Sequence, residues 1–119
     1  MSEPASFCDL AKASEDLVKC SRAIWDMVDD VANARVIKEM HSERMKQALS
    51  KAIVRSGIDS VAKGEIAARV DSKYLEEVEI IKQNLLTAEK TLAKAAAYNA
   101  RSDGLRTLIS AMKQTIKDL

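Results

Sequence analysis

SKYLEEVEIIKQNLLTAEKTLAKAAAYNARSDGLRTLISAMKQTIKDL, Ser72 to Leu119, is the stretch that decides the fold. It contains no proline. Val78, Ile81, Leu85, Ala88, Leu92, Ala95 and Asn99 alternate steps of three and four, the spacing of a coiled-coil seam. Ser72 is an N-cap candidate, and Glu76, Glu77 and Glu79 sit near the positive end of the helix it opens. At about 1.5 Å per residue this helix would span roughly 70 Å. A compact domain of this chain's length has a radius of gyration of only about 13–14 Å. The stretch is therefore a rod that its own monomer cannot bury, or it folds back.

The apolar face of this stretch changes direction. At about 100° per residue, the apolar positions up to Asn99 lie mostly about 220–320° round from Lys82. Leu105, Leu108, Ile109, Met112, Ile116 and Leu119 lie at about 80–180°. The swing falls across Arg101-Ser102-Asp103-Gly104. Either the helix breaks at Gly104, with Ser102 or Asp103 capping a separate terminal helix, or it runs on and offers two faces. Under both readings residues 105–119 form a docking element. Asn99 either sets the register of the seam or marks its end.

Upstream, Asp71-Ser72 follows a shorter helix over residues 58–70, capped by Asp59 or Ser60 and weakened by Gly64. A long helix over residues 6–56 precedes it and closes at Ser56-Gly57, where glycine supplies the left-handed position. Its start is marked by Pro4 and by Ser6 with Asp9 three residues on, a short version of the capping box. Phe7, Leu10, Leu17, Val18, Ile24, Trp25, Val28, Val31 and Ala32 fall within about 140° of arc, so Phe7 and Trp25 are expected in the core. After Val36 the face drifts, which predicts a bend or a second partner. The fold expected is all-α: one domain, a long helical hairpin with a short connecting helix, in an oligomer. Oligomerisation follows because many of the apolar residues are alanines, and a monomeric core built from them is thin.

The formal net charge is +1, but it is unevenly spread. Residues 1–34 carry −4, residues 35–69 carry +4, and Lys82 to Lys117 carries +5. One end suits a basic partner and the rest an anion. Cys8 and Cys20 lie twelve residues apart on one helix, about 18 Å along its axis, so they do not pair with each other. Two unpaired thiols fit a reducing, cytoplasmic setting. Met1–Pro4 is short and acidic with no apolar run behind it, so no signal peptide is expected, and no membrane span either.

Catalytic patterns are missing. There is no Gly-rich phosphate loop, no paired Cys/His ligand set and no nucleophile–base arrangement. His41 is the only imidazole and has no orienting partner in sequence. The expectation is a non-enzyme with no cofactor, no metal and no small-molecule substrate. Basic residues are the better lead. Arg44, Lys51 and Arg55 share a face opposite Leu49 and Ile53, with Lys46 taken as a neighbour. Lys63 and Arg69 follow. Lys90, Lys94 and Arg101 lie within about 40° of arc opposite Leu85 and Leu92, with Tyr98 as a stacking surface. Cations beside an aromatic platform suit single-stranded nucleic acid. The same cations also make the ordinary solvated face of an amphipathic helix.

Three features together resemble the UvsY-type recombination mediators of tailed phages. A basic helix closes on Ser-Gly over Gln47 to Gly57; a short connecting segment follows; and a long C-terminal helix carries Arg101-Ser102-Asp103-Gly104-Leu105, then Leu108, Ile109 and Met112. The resemblance covers roughly residues 35–119. It implies a small helical ring-forming protein of the host cytoplasm that binds single-stranded DNA. Such a protein helps load a RecA-like recombinase onto strands coated by single-strand-binding protein. It implies DNA contacts at Lys46, Lys51 and Arg55, and assembly through Leu105, Leu108, Met112 and Ile116. Two other classes stand beside it: a coiled-coil structural subunit of a phage or bacterial assembly, and a small regulator that uses the acidic N-terminal third.

Overall fold

The computed structural model describes residues 6–118. The start signal at Pro4 and the apolar position at Leu119 lie outside the described residues. The fold is all-α, a long helical hairpin with four helices among the described residues: α1 Phe7–Asp26, α2 Val28–Ser56, α3 Val61–Arg69 and α4 Ser72–Lys117. No strand occurs among the described residues.

The capping box at the start of α1 is complete. Asp9 N–H donates to Ser6 Oγ at 3.2 Å, and Ser6 N–H donates to the Asp9 carboxylate at 3.1 Å. The helix expected over residues 6–56 is interrupted at Met27. Its N–H is shared between the carbonyls of Ala23 and Ile24, both at 3.2 Å, in a single tightened turn. Met27 keeps right-handed angles, φ −92° and ψ −1°, and no glycine or proline announces the break. It also precedes the drift after Val36 where a bend was expected. α2 ends as expected, with Gly57 at φ +66°.

α3 is shorter than the expected span. Ser60 occupies its cap position but makes no side-chain cap bond. Gly64 has a packing reason to be glycine: a Cβ there would lie 3.1 Å from Ile53 Cγ2, so α3 meets α2 at close range. The residue before the first of α4 is Asp71, so the cap position falls to Asp71 and not to Ser72. Leu75 N–H donates to the Asp71 carbonyl at 3.0 Å, which places Asp71 at the N-cap position.

Of the two alternatives at Gly104, continuity holds: α4 runs unbroken from Ser72 to Lys117. The helix packs in two units. One comprises α1 with α4 from Ala93 onward; the other comprises residues Val31–Leu92. In the second unit the covered seam of α4 runs through Tyr74, Val78, Ile81, Leu85, Ala88 and Leu92, with Glu77 and Thr91 half-covered beside it; in the first it runs through Ala95, Tyr98, Ser102, Leu105, Ile109, Met112 and Ile116. The three-four alternation therefore contains one repeated step of three, Leu92 to Ala95 to Tyr98. Such a stammer shifts the seam without breaking a helix. It explains the swing seen in sequence and places it before Arg101. Asn99 is exposed and off the seam.

Apart from Ile109 in the first unit, the buried apolar residues are small. Ala13 and Cys20 are buried in the first unit, and Ala34, Ala48, Ala52, Ala68 and Ala88 in the second. No large side chain among the described residues is fully buried.

Candidate functional site

The structure separates the cations that sequence grouped together. Arg44 and Lys51 line one shallow groove of about 190 Å³ with Gln47, Ala48, Glu77 and Ile81. Lys46 does not join them. It lies about 140° round the helix from Lys51, and its ammonium sits 3.8 Å from Glu43. That pair is exposed and contributes little to stability.

Arg55 is committed to structure. Its Nη2 and Nε donate to Asp71 Oδ2 at 2.7 and 3.2 Å, tying the end of α2 to the start of α4. The same two residues border a cleft of about 440 Å³ with Ala52, Ala67 and Val70. Arg55 was expected to meet phosphate, but its guanidinium already serves a carboxylate. Lys63 and Arg69 are exposed on α3.

The Arg55 guanidinium is the main influence holding the Asp71 carboxyl below its usual range; backbone N–H groups add to this and desolvation opposes it. A carboxylate whose pKa is lowered by folding adds stability above its unfolded value of about 3.9. That stability is lost as pH falls through the lower folded value. Asp71→Asn keeps a capping side chain but loses the ion pair. It is expected to melt at a lower temperature than wild type at neutral pH, with the two curves converging in acid. A gap that persists in acid would assign the loss to something other than the carboxylate.

Lys90, Lys94 and Arg101 are exposed on α4. None of them takes part in an ion pair among the described residues. Tyr98 is half-buried on the seam, and its carbonyl accepts from Cys20 Sγ at 3.5 Å. Cys20 is buried, Cys8 is exposed, and both thiols are free. His41 is half-buried, with Nδ1 lacking a partner among the described residues; the hydroxyl of Ser102 is in the same position.

The expected assembly element is largely occupied within the chain. Leu105, Met112 and Ile116 are half-buried along the line of buried Ile109, and only Leu108, 45% exposed, faces outward. The residues taken as core in α1 behave in the opposite way. Phe7 is 74% exposed and Trp25 is 75% exposed. The apolar arc of α1 is wider than its intramolecular contact, which takes Leu10, Ala13, Leu17, Cys20 and Ile24 and leaves the other half uncovered. The signal was present in the sequence, since an arc of about 140° exceeds the roughly 100° stripe that one packed face needs.

No helix among the described residues is long and apolar enough to cross a membrane. No group of three or more potential metal ligands occurs among them. Comparison with protein-family models, with curated proteins and with solved structures finds no match, so the surfaces are read from their own residues.

Proposed function

We propose that the chain is a non-enzymatic assembly subunit, a helical hairpin that works by pairing with other helices in a phage or bacterial complex. One observation carries this reading: apart from Ile109 the buried side chains are small, and several large apolar ones stand exposed. Phe7, Trp25, Val54, Ile66, Val70 and Ile80 are between 61% and 80% exposed. Where such residues share one face, as Phe7, Val18 and Trp25 do on α1, exposed apolar surface marks an interaction site. Light scattering over a concentration series is the test. A mass above that of one chain is expected, and a single-chain mass throughout would overturn the reading. Leu108→Asp probes the C-terminal element more cleanly than Met112→Asp, because Met112 also packs within the chain.

A second reading has its own observation. Lys90, Lys94 and Arg101, on one helix and outside every ion pair among the described residues, support single-stranded DNA binding. The resemblance to UvsY-type mediators adds a role in loading a RecA-like recombinase in the presence of single-strand-binding protein. Phosphate contacts are largely blind to base order and are weakened by salt. Replacing Lys90, Lys94 and Arg101 together by alanine is expected to flatten the log-affinity against log-salt slope. The change is roughly 0.7 for each lost single-strand contact. Arg55 is left intact because its replacement would break the Asp71 pair. A fluorescence titration with a labelled oligonucleotide reads the slope. Parallel slopes at equal affinity would remove the three residues from the site, and no binding at low salt would remove this reading.

A further inference from the structure

α1 carries two seams, and the chain itself uses one. Leu10, Ala13, Leu17, Cys20 and Ile24 form the inner seam. Each is followed by a member of a second series with the same spacing: Ala11, Ser14, Val18, Ser21 and Trp25. Phe7 opens that series and Val28 continues it past Met27, which remains right-handed. The second series occupies about 100° of arc. Its large members are bare, with Val18 58% and Val28 46% exposed beside Phe7 and Trp25.

The order of side chains along this series suits its own reversal. Set an antiparallel second copy against it with Val18 on the two-fold axis. Trp25 then falls level with the copy's Ala11, while the members of the series nearest to Phe7 and Ser14 are the copy's Val28 and Ser21, each one residue, about 1.5 Å, off level. The largest side chain meets one of the smallest, and the serines allow close approach beside the axis. Glu15, Arg22 and Asp29 border the series at seven-residue intervals. The same register brings Glu15, whose carboxylate lies 3.5 Å from the ammonium of Lys19 in an exposed pair that a second partner can join, within one residue of the copy's Arg22, and symmetry repeats the contact. A parallel copy would place Trp25 level with Trp25 and Arg22 level with Arg22. Size therefore selects the antiparallel arrangement, and only that arrangement puts the Glu15–Arg22 flanks of the two copies on the same side of the seam.

We infer that this outer seam of α1 is a homodimer interface in which two chains pair antiparallel about Val18. The inference rests on the assembly reading and names its surface.

The test uses the full chain. Trp25 is the sole tryptophan, and its emission should move to shorter wavelength as rising concentration buries it. Val18→Asp should weaken association by roughly a hundredfold or more, because it places an unpaired charge on the axis. Val18 is exposed in the single chain, so helicity should be unchanged. Glu15→Arg and Arg22→Glu should each weaken the dimer, and the double variant should restore it. In a Cys8→Ser background, Val18→Cys should oxidise to a cross-linked dimer and Trp25→Cys should not, since only the axial residue meets its own copy. Equal cross-linking at both positions would overturn the antiparallel register. An oligomer that survives Val18→Asp would overturn this surface and leave the assembly reading standing. A wild-type chain that stays monomeric would overturn both.

Discussion

Ala52→Leu is expected to destabilise the chain by about 1–3 kcal/mol, although it adds only apolar atoms. Ala52 is 1% exposed, and buried Ala48 lies one turn away on the same face of α2. Ala68 on α3 and Ala88 on α4 are equally enclosed in this unit. Where small residues face one another, helix backbones approach closely. An added isobutyl group has no void to fill, so it must push a helix away or leave its rotamer. The control is Val54→Leu two residues on, where the native side chain is 80% exposed and the change should stay within about 0.5 kcal/mol. Urea unfolding followed by circular dichroism reads both. Equal midpoints would show that the seam has slack.

Gly57→Val is the second large effect, expected at about 1–3 kcal/mol, and its cause is conformational. Gly57 holds φ +66° where α2 ends. A Cβ placed there meets nothing within 4 Å, so space is not the constraint. The cost comes from placing a β-branched residue in left-handed backbone. Gly57→Asn should lose less than Gly57→Val, because asparagine tolerates that region. If both variants unfold at one midpoint, the turn has adopted another path.

Local chemistry made much of the fold legible. Ser6 with Asp9 and Ser56-Gly57 marked two helix ends because caps are short-range events with few residue choices. The helical class followed from the three-four spacing of Val78 to Ala95. Met27 could not be foreseen, since its interruption is one shared hydrogen bond with no glycine or proline behind it. Asp71 was passed over for Ser72 as the cap, because its preference is set by Arg55, sixteen residues upstream. The step of three from Ala95 to Tyr98 was hidden because Asn99 continued the arithmetic while Tyr98 continued the packing. Among the candidate site residues, helical angle grouped Arg44 with Lys51 correctly and should have excluded Lys46. That Arg55 has a carboxylate partner depends on tertiary approach, which spacing does not encode. Phe7 and Trp25 were placed in the core because an apolar arc was assumed to have one partner.

The alanine-lined seam also shapes the calorimetry of this chain. Alanine loses almost no rotamer freedom on burial, so packing it orders little beyond the backbone. It also withdraws little apolar area from water, and the heat capacity of unfolding scales with that area. The increment per residue should therefore fall below the usual value of about 12–15 cal/mol/K. A small increment flattens the stability curve. The hairpin should lose stability only gradually on either side of its optimum, with a broad endotherm on heating and little tendency to denature in the cold.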